Sequence, residues 1–110
     1  MEMRFYILDV DGKTPVGTDD IHVWATFKTN YGRCQKRETV AEGIDVSTVF
    51  LGIDHSYVKG GPPILWETMI FGGKHDQYQD RYATYDEAMI GHEKAKRIAL
   101  GLLEPTNEGV

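Results

Sequence analysis

Four side chains in this 110-residue chain have types and spacing suited to acid–base work: Asp54, His55, Glu67 and His92. His92 sits among Ala88, Gly91, Ala95 and Ile98, at spacings that place it on the apolar stripe of a helix. An imidazole there must find a hydrogen-bond partner or bear a desolvation cost. Glu67, the one acidic member of an otherwise apolar alternating set, is the expected partner, with Asp54 as the other candidate. A carboxylate–histidine pair is a common component of general acid–base sites. It serves equally well as a structural bond between a helix and a sheet. Asp54-His55 ends one apolar run and enters a loop, where such residues often serve binding. Asp and His are also metal ligands, and with His75 or Glu67 they can form a mixed nitrogen and oxygen set. The spacing matches no metal motif such as H-E-x-x-H, so no metal is expected. In the plain alternative, Asp54 caps the turn and His55 lies in solvent.

The stretch Lys59-Gly60-Gly61-Pro62-Pro63 invites comparison with a phosphate loop. A true P-loop places its lysine after the glycines and before a helix, and here a strand follows. The amides of Gly60 and Gly61 beside Lys59 can still cradle a small anion in a backbone nest. Asp54, His55, Lys59, Gly60 and Gly61 are therefore the candidate ligand-binding set. The alternative is a stiff connector, with glycines at positive φ and prolines fixing the exit. Nucleophilic catalysis has little support. Ser47 and Ser56 lie outside any G-x-S-x-G elbow. Cys34 has cations near it in Arg33, Lys36 and Arg37, which favour a thiolate, but the sequence places no histidine beside it.

These residues need a scaffold. Two apolar runs, residues 46–53 and 64–71, are rich in β-branched and aromatic side chains and read as strands around the central loop. Residues 4–10 form a first strand, and residues 33–40 a polar strand at a sheet edge, where charge discourages pairing with other chains. Residues 18–30 fit both periods; Thr18, Asp19 and Asp20 as N-terminal caps, with Asn30 and Gly32 as stops, favour a helix. Thr84-Tyr85-Asp86-Glu87 is a capping box that opens a helix running to about residue 102. The fold class is α+β: an antiparallel sheet of four or five strands packed by the C-terminal helix, with a shorter helix near residues 18–30. One domain over residues 1–103 and a flexible tail over 104–110 are expected. The expected core is Phe5, Ile7, Trp24, Phe27, Val49, Leu51, Ile53, Leu65, Met69, Phe71, Ala88, Ala95, Ile98 and Leu102.

Composition narrows the functions. The net charge of −5 argues against a nucleic-acid surface, which needs a basic patch. One cysteine allows no internal disulfide and favours a reducing compartment. No run approaches a membrane span, and the first ten residues lack the pattern of a signal peptide. A cytoplasmic protein with no membrane association is expected.

Three segments, VSTVFLGIDH, GGPPILWETMIFGG and YATYDEAMIGHEKA, resemble a family of small proteins encoded by bacteriophages, prophages and other bacterial mobile elements. The resemblance covers most of residues 20–100, and Trp66 departs from it where phenylalanine is more usual. It picks out Ser47, Thr48, Asp54, His55, Pro63, Glu67, Thr68, Gly72, Gly73, Thr84, Gly91 and His92. It implies no activity. It implies a phage setting, where small accessory proteins often act by binding host enzymes or sequestering signalling nucleotides. The expected function is therefore a non-catalytic accessory protein that binds a host protein or a small anionic ligand, with a possible counter-defence role. Two alternatives stand beside it: a small acid–base or metal-assisted hydrolase using Asp54, His55, Glu67 and His92, and an assembly protein that self-associates through a sheet edge.

Overall fold

In the computed structural model, which describes residues 5–32, 34–56 and 60–105, the elements run β1 (Phe5–Leu8), β2 (Pro15–Thr18), α1 (Ile21–Tyr31), β3 (Cys34–Ala41), β4 (Ile44–Phe50), β5 (Trp66–Phe71), β6 (Gln79–Tyr82) and α2 (Tyr85–Ala99). The fold is α+β. β3-β4-β5-β6 form one antiparallel sheet in sequence order, and β1 and β2 pair as a separate two-stranded sheet. Pro15–Thr18 thus completes a hairpin with Phe5–Leu8, which meets the rest through a bridge between Phe5 and Ile53. The molecule is only 20 Å across its thinnest direction, the depth of one helix layer on one sheet layer.

Alternation along the strands gives the four-stranded sheet two different faces. Val46, Thr48 and Phe50 of β4 and Trp66, Thr68 and Ile70 of β5 are buried beneath α2. α2 supplies Ala88, Gly91, His92, Ala95 and Ile98, whose small members let it lie close to the strands. Two apolar clusters result. One gathers Phe50, Leu65, Trp66, Tyr82 and Ala88; the other gathers Val46, Ile70, Ala95 and Ile98. The polar residues between them, Thr48, Thr68 and His92, are fully buried.

Among the described residues, no element covers the opposite face. The strand registers arrange it in three rows: Cys34, Val49, Glu67, Arg81; then Arg37, Ser47, Met69, Gln79; then Thr39, Asp45, Phe71. This corrects part of the expected core. Val49 and Met69 are only partly buried, and Phe71 is 37% exposed. In β5 the outward set, Glu67, Met69 and Phe71, is largely apolar, and in β4 Val49 runs on into Leu51 and Ile53, so the apolar pattern alone points to both faces. Leu102 is also exposed, because α2 ends at Ala99 and the chain turns through Gly101.

α1 begins at an Asp20 cap that accepts from the amides of His22 and Val23. It is held at the sheet's end by Trp24, which stacks on Phe5 and donates its indole N–H to the Gly52 carbonyl at 3.0 Å, and by Phe27 against Phe50. Half of the capping box of α2 forms as expected, with Thr84 accepting from the Glu87 amide at 3.1 Å; the Glu87 carboxylate accepts from the Thr84 hydroxyl, also at 3.1 Å, rather than from the Thr84 amide. Thr84→Ala is expected to lower stability by about 1 kcal/mol in a denaturant titration. β5 leaves the sheet through Gly72, at φ +90°, where a Cβ would collide with the Gly43 carbonyl oxygen, so only glycine fits.

Candidate functional site

His92 enters the space between sheet and helix because its position on α2 shares the inward stripe with Ala88 and Ala95. Its Nδ1 lies 2.7 Å from the Thr48 hydroxyl, and that hydroxyl lies 2.6 Å from the Thr68 hydroxyl. Its Nε2 lies 2.9 Å from a Glu38 carboxylate oxygen. The other Glu38 oxygen accepts from the Lys96 ammonium at 3.2 Å. Lys36 and Glu93 complete the charged rim, Lys36 lying 3.6 Å from both Glu38 and Glu93.

The chemistry fixes the direction of these bonds. Lys96 and His92 hold Glu38 below its ordinary pKa, so its carboxylate is ionised and only accepts. Nε2 must then carry the proton. Nδ1 accepts from Thr48, whose oxygen accepts from Thr68. Each hydroxyl donates along the chain towards Glu38, an alignment in which the bonds reinforce one another. Burial outweighs the Glu38 carboxylate and pushes the imidazole below its ordinary pKa, so His92 is neutral. Lys96 is held above its ordinary value, chiefly by its bond to Glu38. The buried end of the relay is less well satisfied. Among the described residues the Tyr82 hydroxyl has no hydrogen-bond partner. Burial pushes the phenol well above its ordinary pKa.

A pH dependence follows. Below about pH 6.5 the unfolded chain takes up a proton at residue 92 that the folded protein refuses. Stability is therefore expected to fall as the pH drops from 6.5 towards the lower folded pKa, and this contribution levels off beneath it. Glu38 adds a second loss, below its unfolded value of 4.5, as the pH falls through its depressed folded pKa. Thermal melts from pH 8 down to about pH 3 check the order. In His92→Gln the first loss should vanish while the second persists.

The sequence-derived candidates are distributed otherwise than expected. Glu67 does not meet His92. Strand alternation sends it to the uncovered face, where one oxygen accepts from Arg81 at 2.9 Å and from Gln79 at 2.5 Å. Glu38 of β3 takes its place as the carboxylate. Asp54 closes the base of the central loop, accepting from the Ser56 and Ile64 amides at 2.8 and 2.9 Å, and His55 is exposed. Asp54, His55, Glu67 and His92 therefore form no single site. Lys59 lies outside the described residues, and Gly60 is exposed at φ +82°, as a turn requires.

Glu38, Thr48 and Thr68 are the members the sequence did not assign to a site. Thr48 and Thr68 each occupy the centre of an apolar face, Val46-Thr48-Phe50 and Trp66-Thr68-Ile70, and that pairing was a readable signal. Glu38 was hidden within a largely polar strand whose register shifts twice against β4.

Carboxylate, imidazole and hydroxyl stand here in the order used for acyl transfer. The hydroxyl, however, is fully buried at the middle of a strand, under α2 and against a second threonine, so no substrate can approach it. Glu38, His92 and Glu93 also bring three ligand atoms within 4.8 Å of one another. The ammonium groups of Lys36 and Lys96 already serve as the cations between those carboxylates, and Nε2 carries a proton. The donor set therefore suits an ion-pair network better than a metal ion. Among the described residues, no helix is long and apolar enough to cross a membrane. Comparison of the chain with protein-family models, with curated proteins and with solved structures found no match.

Proposed function

We propose that the chain is a small non-catalytic binding protein, of the phage or mobile-element accessory kind that its sequence resembles, and that it engages a host protein through the uncovered face of β3–β6. The observation that carries this reading is the internal use of both ring nitrogens of a fully buried His92. The histidine that suggests chemistry in the sequence is committed, with Thr48 and Thr68, to joining helix to sheet. The uncovered face offers Phe71, Met69 and Val49 between paired charges, a composition suited to protein contact. A small anionic ligand has less support, since the four charged residues of that face balance.

Native mass spectrometry of the protein purified from its bacterial host tests the proposal. A stoichiometric protein partner is expected, lost in Met69→Glu and kept in Thr84→Ala. Recovery of the chain with neither partner nor ligand contradicts it. The acid–imidazole–hydroxyl order favours one other reading, a hydrolase that opens by lifting α2. A fluorophosphonate probe distinguishes the two: no labelling is expected, and labelling at Thr48 would establish the hydrolase.

A further inference from the structure

Ser47 occupies the middle row of the uncovered face, directly between Arg37 and Met69 of the neighbouring strands. One small residue among long ones leaves a pit, an open depression of about 470 Å³ whose walls include Arg37, Val49, Glu67, Met69 and Phe71. Ser47 is 6% exposed, yet its hydroxyl makes no hydrogen bond with the described residues. Its oxygen opens onto the pit, so the hydroxyl is available to bond a group that enters there.

The surrounding groups define that ligand. Arg37 is paired with Asp45 at 3.0 Å and Arg81 with Glu67 at 2.9 Å, so the four charges cancel and neither an anion nor a cation is favoured overall. Their hydrogen-bonding capacity is only partly used. Both Glu67 bonds fall on Oε2, leaving Oε1 as an acceptor on a side chain only 13% exposed. Both Arg37 bonds come from Nε and Nη2, leaving the Nη1 donors. The pit therefore presents an unused acceptor, unused donors and a hydroxyl that can act as either, above apolar walls from Val49 and Met69.

We infer that the pit over Ser47 receives a primary carboxamide on a short apolar stem, the side chain of a glutamine or asparagine of the partner protein; this rests on the binding function proposed above. The amide NH₂ donates to Glu67 Oε1. The amide oxygen accepts from Ser47 or from Arg37 Nη1, and the methylenes lie against Val49 and Met69. A carboxylate brings no donor for Glu67 and is repelled by it. An ammonium brings no acceptor for Arg37 and is repelled by that.

Amide chemical shifts of the whole chain, titrated with N-acetyl-glutamine-N′-methylamide and with the matching glutamate and lysine derivatives, test the inference. Saturable shifts centred on Ser47, Val49, Glu67 and Met69 are expected for the glutamine probe, in the millimolar range normal for a single side chain. Binding at least about tenfold weaker is expected for the two charged probes and in Ser47→Leu, which fills the pit. Ser47→Ala keeps the pit, removes the hydroxyl and weakens the glutamine probe several-fold. Equal response to all three probes, or a response unchanged in Ser47→Leu, overturns the inference. Tighter binding of free glutamine than of the capped residue also overturns it and points to a metabolite instead. Failure here, with the partner still recovered in native mass spectrometry, removes the carboxamide and leaves the binding function standing.

Discussion

Gly91→Ala is expected to lower stability by at least about 3 kcal/mol, at or beyond the upper end of the usual overpacking cost. α2 crosses β6 at Gly91, and a Cβ there would meet the hydroxyl oxygen, Cζ and Cε1 of Tyr82. Tyr82 cannot yield easily, because its ring belongs to the cluster of Phe50, Leu65, Trp66 and Ala88. A loss of this size is a large share of the 5–15 kcal/mol that typically holds a domain together. Denaturant titration measures it. Two controls separate sterics from hydrogen bonding. Tyr82→Phe alone should raise stability by about 1 kcal/mol, because it removes a buried hydroxyl that has no partner. The double variant Gly91→Ala/Tyr82→Phe should stay destabilised, because the ring carbons remain in the way. Rescue by Tyr82→Phe would show that the hydroxyl alone sets the helix–strand distance.

The second large effect is expected at His92. His92→Ala should cost about 3 kcal/mol, combining a cavity with the loss of two hydrogen bonds, one of them to a charged carboxylate. Thr48→Val should cost about 2 kcal/mol by leaving Nδ1 buried without a donor. Glu67→Gln should change stability by less than about 1 kcal/mol, since its pair with Arg81 lies on the uncovered face. The contrast between Glu38 and Glu67 is informative, because the sequence suggests Glu67 as the histidine's partner. Glu38→Gln keeps an acceptor for Nε2 but weakens the hold on Lys96, and should fall between the two.

The fold was legible where local patterns agree with tertiary demands. The capping box at Thr84, the Asp20 cap of α1 and the apolar runs of β4 and β5 all mark the elements that form. Less legible was the choice of buried face. Val49 and Met69 are as hydrophobic as Val46 and Ile70, and only the approach of α2 decides between them. The hairpin at Pro15–Thr18 was hidden because PVGT has little strand propensity, and its pairing with Phe5–Leu8 supplies the order instead. In the site, His92 was identified by its place on an apolar helix stripe, and burial confirms the tension that position implies. Its partners were misassigned because a carboxylate looks anomalous within apolar β5 but ordinary within polar β3. Register shifts in β3 then bring Glu38 under the helix, a long-range outcome that no local spacing encodes.

His92 stands as a neutral, fully engaged link between α2 and the sheet. Nitrogen-detected NMR of the imidazole, followed from pH 8 to pH 5, tests it most directly. A single neutral tautomer protonated at Nε2 is expected near neutral pH, with a ring that titrates below 6.5 and a proton on Nε2 slow to exchange with water. A ring protonated at Nδ1 near neutral pH, or one that titrates at or above 6.5 with rapidly exchanging protons, would contradict it. Such a result would return His92 to the residues available for chemistry.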